Sequence, residues 1–409
     1  MFNFSKPKIN SNLLVNQIIL TDESFEPAAD SSYAMVDLVD FVNSMFHEGH
    51  YRRDEVPAEA IWLYSADYFI GQIKQNGHAG FLENSGAEFG VTLDKLPTTF
   101  RDIQNGLKLI GATTYEAGFN RLLKWMKKNP KLSGRSLRET PRSNVEDFNT
   151  EFFNIDANAE FYELAKIWLQ NSEYTTILPN EEAAAEIETL KAANPHYSAR
   201  NRIKHILFIQ NQLDEGYDAY FRYAFSGVNT VEGKPVEVLG LGDGVFRHPK
   251  DNHEPVWPVE TADRTFIGFL MDDHILIVNP PEDSTYDFQP EHIILNYPIS
   301  AADKAIDFHR KAQPVAVAAK LLEKSISWNR SQVSSVILTN VRHDKRDRII
   351  ACEYAVKTEN DNWYFLALTL EQAVLTDFDK QRAVGKLSKR ELSEIRNELG
   401  SYVNYVPKH

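Results

Sequence analysis

A change of texture near residue 217 does most to fix what this chain can fold into. Before it, apolar residues recur at three- and four-residue steps, the period of helices buried along one face. After it they come in short β-branched and aromatic runs between turn residues, the pattern of strands. A length of 409 residues also exceeds one ordinary core, since domains run roughly 100–200 residues. The reading is α+β overall. An N-terminal arm over 1–30 precedes an all-α helical domain over 31–215, and an α+β domain with a mostly antiparallel sheet fills 216–409.

In the first part, Met35, Leu38, Val39, Val42 and Phe46 predict a helix capped by Ser32, with Asp37 and Asp40 on its wet side. Pro57 suits the first position of a second helix. That helix carries Ile61, Trp62, Tyr64, Tyr68, Phe69 and Ile73 and is expected to stop near Asn76-Gly77. A third follows Pro97 and ends at Gly111, a left-handed cap; a fourth spans 114–129 and stops before Pro130. The polar stretch 131–144 reads as a long loop, with helical pattern resuming near Asp156. Further helices are expected over 181–193 and 199–213.

In the second part, 235–241, 265–271 and 274–279 read as strands, the last two joined in a hairpin at Asp272-Asp273. Residues 301–327 are helical, with an interruption at Pro314. An antiparallel meander is expected over 334–341, 348–357 and 363–370, followed by helical pieces at 370–380 and 388–399.

Charge bounds the function. With 58 acids against 44 bases the net charge is −14, which opposes direct nucleic-acid binding and attracts basic proteins. The charge is uneven. Residues 21–60 hold ten acids against Arg52 and Arg53, a net −8, whereas 121–140 hold seven bases against Glu139. These stretches can attract one another within the fold or between subunits. One cysteine, Cys352, permits neither an internal disulfide nor a cysteine metal cluster; its apolar-rich run marks it as a buried strand residue. The chain shows no signal-peptide pattern and no run near the roughly 18 apolar residues of a membrane span. The expectation is a soluble, cytoplasmic protein with no membrane contact.

Motifs for chemistry are weak. Gly240-Leu241-Gly242-Asp243-Gly244 lacks the dinucleotide spacing and the P-loop lysine, and reads as a turn. His47-Glu48-Gly49-His50 falls one residue short of a zinc helix and reads as a helix end. His248, Asp251, His253 and Glu254 lie among prolines in a loop, Asp272, Asp273 and His274 in a turn, and Glu282 and Asp283 follow Pro280-Pro281. No nucleophile elbow occurs. The reading carries no catalytic residue, metal or cofactor and leans against an enzyme.

One string carries a resemblance. Residues 75–86 read Gln-Asn-Gly-His-Ala-Gly-Phe-Leu-Glu-Asn-Ser-Gly, after an aromatic helix with Trp62 and Tyr64 and before Ile110-Gly111-Ala112. This order resembles the bacterial DNA-mimic protein domain family, formerly a domain of unknown function. Asn76, Gly77, Gly80, Phe81, Asn84, Ser85 and Gly111 occupy the places of its structural motif. His78-Ala79 interrupts its Gly-Gly-Phe run, and Leu82 and Glu83 replace its usual aromatics. The resemblance covers about 56–130, at most 30–175. It implies a helical, often dimeric domain whose acidic face occupies a basic DNA-binding regulator or nucleoid protein.

No acid lies at a matched position, so the candidate contacts Asp37, Asp40, Glu48, Asp54, Glu55 and Glu59 rest on charge alone. Carboxylates one helical turn apart lie about 5–6 Å from each other, comparable with neighbouring phosphates on a DNA strand. The leading expectation is thus a non-catalytic acidic interaction protein, a DNA mimic for a basic partner. Alternatives are an enzyme or small-ligand binder with a site near 240–254, and a toxin-neutralising protein of the immunity type.

Overall fold

The structure, a computed structural model, describes residues 13–132, 143–156, 160–226, 228–229, 234–242, 245–247, 254–280, 293–325 and 332–403. Contacts divide the described residues into two units, one up to Arg200 and one from Asn201 on.

The first unit is helical, with α1 (Ser32–Asn43), α2 (Ala58–Asn84), α3 (Thr98–Leu109), α4 (Thr113–Lys128), α5 (Ser143–Asp156), α6 (Glu160–Asn171), α7 (Asn180–Ala192) and the start of α8 (Tyr197–Asp214). Helices α3 and α4 bury the stripes their sequences lay down, whereas in α2 Ile61, Phe69 and Ile73 are buried and Trp62, Tyr64 and Tyr68 only partly so. In α3 the stripe is Phe100, Ile103 and Leu107; in α4 it is Tyr115, Phe119, Leu122 and Met126. Gly111 ends α3 at φ +74, the left-handed cap expected of it. To the helices the structure adds a small parallel pair. Strand β1 (Ile18–Thr21) runs beside β2 (Thr175–Leu178), Ile18 opposite Thr175.

Two local expectations are corrected. Helix α2 does not stop at Asn76-Gly77. It bends there, at Gly77 φ 64 and ψ −179, then continues to Asn84. Helix α5 occupies the interval before Asp156, where a later start was expected; of the loop read over 131–144, residues 133–142 lie outside the described residues. Gly77 adopts backbone angles open essentially to glycine only, and an added Cβ would sit 3.0 Å from the Asn149 side chain. Gly77→Ala is therefore expected to cost about 1–3 kcal/mol, read as a lowered urea midpoint for the first unit.

The second unit joins two antiparallel sheets through helices. One sheet has the order β3 (Val238–Leu241), β5 (Glu254–Thr261), β6 (Thr265–Leu270), β7 (His274–Val278), β8 (Ile293–Pro298), with β4 (Val245–Arg247) also on β5. The other is β9 (Val333–His343), β10 (Ile349–Thr358), β11 (Trp363–Leu368), β12 (Ala373–Asp377) and β13 (Ala383–Leu387), each pairing with the next. Helices α9 (Gly216–Ala224) and α10 (Ile299–Ala312) touch strands of both sheets, and α11 (Pro314–Ser325) packs on β9, β12 and β13. A helix α12 (Lys389–Val403) follows the last strand. One continuous core runs through Phe221, Phe225, Ile275, Ile277, Ala305, Val317, Leu321, Leu366 and Leu375.

The β6–β7 hairpin turns at Asp272-Asp273, and the β9–β11 meander stands as its alternation predicts. The helical break at Pro314 is present, with Gln313 at φ 55 between α10 and α11. The helix expected over 370–380 is instead strand β12, held between β11 and β13. Cys352 is buried on β10, and burial pushes its thiol up to about 12, so it is an inert core residue.

Candidate functional site

An open, largely polar hollow of the first unit grows out of α1. Ala34, Met35, Leu38, Phe41 and Val42 face inward, so the other face looks to solvent. A π-turn over Ser44–Glu48 extends that face by one more turn. Asp40, Asn43, Ser44, His47 and Glu48 follow one another at steps of three, one, three and one, which keeps them on one side. With Tyr64 of α2 they line an open hollow of about 710 Å³.

The wall is polar and cross-braced. The Tyr64 hydroxyl donates to Asn43 Oδ1 at 3.1 Å, and burial raises the Tyr64 phenol above its ordinary range. Glu48 accepts from Lys191 of α7 at 2.5 Å, and the same ammonium also pairs with Glu188. Hydrogen bonds to Glu188 and Glu48 raise the Lys191 ammonium, so it stays charged. Such a surface presents carboxylates with hydroxyl and amide partners, a setting for a lysine or arginine head.

The six acids singled out from charge are placed differently from one another. Asp40 and Glu48 are exposed and share the hollow. Asp54 is exposed in the short turn before α2. Asp37 is half-buried, and its Oδ2 accepts from the Thr21 amide at 3.0 Å, the Thr21 hydroxyl at 2.5 Å and the Ser24 hydroxyl at 2.8 Å. It joins the end of β1 to α1. Glu55 is buried and takes both nitrogens of Arg200, at 2.6 and 2.7 Å, with the Arg52 amide at 2.8 Å. Burial alone would raise the Glu55 carboxyl, but the Arg200 and Arg52 donors outweigh it and hold it below the ordinary value. Glu59 is also buried, and burial raises its carboxyl. The basic stretch does not cover the acidic one through Arg121, which pairs with Glu151 of α5.

A count of acids passes over Asn43, Ser44, His47 and Tyr64, which form most of the wall. The signal available was the spacing of 40, 43, 44, 47 and 48. The two imidazoles of His47-Glu48-Gly49-His50 part company. His47 lines the hollow, whereas His50 is buried at φ 54, lies against the Tyr197 ring at a tilt of 36° with centroids 5.1 Å apart, and its carbonyl accepts from Arg200. Among the described residues no group of three or more His, Cys, Asp or Glu is arranged to hold a metal ion, and no helix is long and apolar enough to cross a membrane. Of the strings read near 240–254, Gly240 and Leu241 lie on β3 and Glu254 begins β5. Asp243, Gly244, His248, Asp251 and His253, with Glu282 and Asp283, lie outside the described residues.

Six of the seven motif residues lie between the bend in α2 and the end of that helix, and the seventh, Gly111, ends α3. Gly77 makes the bend, and an added Cβ at Gly80 would lie 2.3 Å from Asn76 Cβ. The amides of Asn76 and Asn84 both donate to Gln72 Oε1, at 3.3 and 2.9 Å, across the bend. Ser85 caps the helix end, and Phe81 is fully buried. His78, which interrupts the motif, meets Asn149 of α5 through its amide and its Nδ1, both at 2.8 Å. Burial drops its imidazole to about 4, so it is neutral at neutral pH.

Residues 54–172 match the family described as DMP19-like protein, so the resemblance noted for 56–130 falls inside a recognised domain. No curated protein matches the chain. Among solved structures, a crystal structure of human RhoA in complex with a DH/PH fragment of PDZRHOGEF is 10% identical, covers 94% of this chain and 98% of that one, and has a TM-score of 0.10. At that score it carries no argument about fold. The matched stretch supplies Tyr64 to the hollow, while Asp40, Asn43, Ser44, His47 and Glu48 precede it.

Proposed function

We propose that this protein is a non-catalytic acidic interaction protein of the DNA-mimic type, whose helical unit takes a basic DNA-binding protein through the hollow on α1. The observation that carries the reading is the shared placement of Asp40 and Glu48 on one polar concavity with Asn43, Ser44, His47 and Tyr64. The DMP19-like match over 54–172 supports the type of role, and the net charge of −14 favours approach of a cationic surface. Glu48 pairs with an ammonium of this chain, Lys191, a group of the same chemistry as a partner's lysine. A partner's lysine or arginine would compete for Glu48 while Lys191 kept Glu188.

The test pairs capture with competition. The full chain, immobilised, is expected to retain a lysine- and arginine-rich DNA-binding protein at low salt and to release it as salt rises. Excess duplex DNA should displace the same partner. Asp40→Asn combined with Glu48→Gln should weaken capture by roughly tenfold, since charges at an interface rim act on encounter and register. Capture that ignores salt, DNA and the double substitution would sink the reading.

A further inference from the structure

The second unit contains a cavity of another chemical character. Gly216 opens α9 at φ +65, and Tyr217 and Tyr220, three residues apart, stand on the same face of that helix. Helix α10 packs against α9 and brings Asp303, Ile306 and Arg310 to the same space at steps of three and four. With Asp214 at the end of α8 these side chains line a cavity of about 330 Å³. That lies within the range of small-molecule sites, roughly 300–1,000 Å³.

The lining is held in place from within. Arg310 Nη2 donates to the Asp214 carbonyl at 2.6 Å, Gln210 Nε2 donates to Asp214 Oδ2 at 2.7 Å, and the Tyr220 hydroxyl donates to Asp303 Oδ1 at 2.8 Å. The half-exposed Tyr217 ring rests on Trp257, 4.7 Å between centroids. Guanidinium, carboxylate and phenol each have more hydrogen-bonding capacity than these bonds use. Two aromatic rings and Ile306 supply the apolar part.

Charge narrows the occupant. An anion would meet Asp214 and Asp303 together, and a cation would meet Arg310. A neutral molecule with several hydroxyls suffers neither penalty. Each hydroxyl donates one hydrogen and also accepts, so separate hydroxyls of one molecule can donate to Asp303 and Asp214 and accept from Arg310. The C–H face of a sugar ring would lie on a tyrosine. We infer that this cavity binds a neutral polyhydroxylated small molecule, a mono- or disaccharide, between α9 and α10.

The full chain can be tested by saturation-transfer NMR with D-glucose, N-acetyl-D-glucosamine and maltose at millimolar concentration. The expected result is transfer to ring C–H protons of at least one sugar. Tyr217→Ala and Asp303→Asn should each weaken that binding by roughly tenfold, in line with the loss of a hydrogen bond to a charged group or of a contact surface of similar worth. Tyr217 is 53% exposed, so its replacement spares the core, and an unchanged circular dichroism spectrum checks this. Tyr220→Phe, which removes one hydroxyl and keeps the ring, serves as a milder variant with a smaller loss. Absence of transfer to all three sugars, transfer that survives both Tyr217→Ala and Asp303→Asn, or displacement of the sugar by inorganic phosphate or putrescine would overturn the inference. None of these outcomes bears on the hollow of the first unit, whose test uses a different ligand and different residues.

Discussion

Arg200→Ala is expected to destabilise the N-terminal unit by about 3–5 kcal/mol, the usual cost of breaking a buried ion pair from one side. The Arg200 and Glu55 side chains are 6% and 10% exposed, and the pair is bidentate. Arg200 also donates to the His50 carbonyl at 2.9 Å, so the substitution orphans a backbone acceptor as well as a carboxylate. Hydrogen exchange at α7 and the 48–55 turn, beside urea unfolding, checks the effect and locates it.

The pH dependence has a definite sign. In the native protein Glu55 sits below its ordinary value, so its contribution is present above that value and disappears as pH falls through the lowered one. Without Arg200, burial is left as the main influence and pushes the carboxyl upward. The variant's penalty is then fullest at neutral pH and shrinks in mild acid, where Glu55 takes up a proton. A gap between the two proteins that widens in acid would contradict this account. Replacing both partners by apolar residues, Arg200→Met with Glu55→Leu, should recover much of the loss.

Phe69→Ala is expected to cost a similar amount, about 3–5 kcal/mol, by a different route. Phe69 is 2% exposed and meets the rings of Phe119 at 5.0 Å, Phe81 at 5.1 Å and Phe152 at 6.2 Å, mostly edge to face. It therefore ties α2 on both sides of the Gly77 bend to α4 and α5. The ring's removal leaves a void among residues held by three other helical segments, which limits collapse. Calorimetric unfolding should show the loss, and partner capture should survive wherever the variant remains folded, because Phe69 does not line the hollow.

Much of the fold was legible because local signals and tertiary packing agreed. The stripe Phe100, Ile103, Leu107 with Gly111 behind it specifies α3 and its end. The meander of β9, β10 and β11 follows from alternation and polar joints. What was missed depended on distant partners. Asn76-Gly77 carries the same local signal for a stop as for a bend, and the aromatic contacts of Phe81 decide between them. Strand β5 contains Pro255 and Pro258, which argue against a strand, yet it pairs on both sides, its proline positions being opposite β4 and β6. The stretch 370–380 has a helical pattern overridden by pairing of β12 with two neighbours.

The candidate site was half legible for the same reason. Asp40 and Glu48 could be taken from charge and period. Glu55 looks identical in sequence, but its guanidinium partner lies 145 residues away. No window around Glu55 contains Arg200, so composition counts as surface charge a carboxylate that is neutralised in the interior.

The parallel pair β1–β2 has a bearing on where this module can be cut. Ile18, Ile19 and Leu20 are almost wholly enclosed, and their ladder partners, 175–178, come after the family match has ended at 172. A piece excised at the borders of the match would lack both strands, together with α1, the Arg200 anchor and five of the hollow's six side chains. The stretch matched by the family and the stretch whose side chains close one core are different lengths of the same polypeptide.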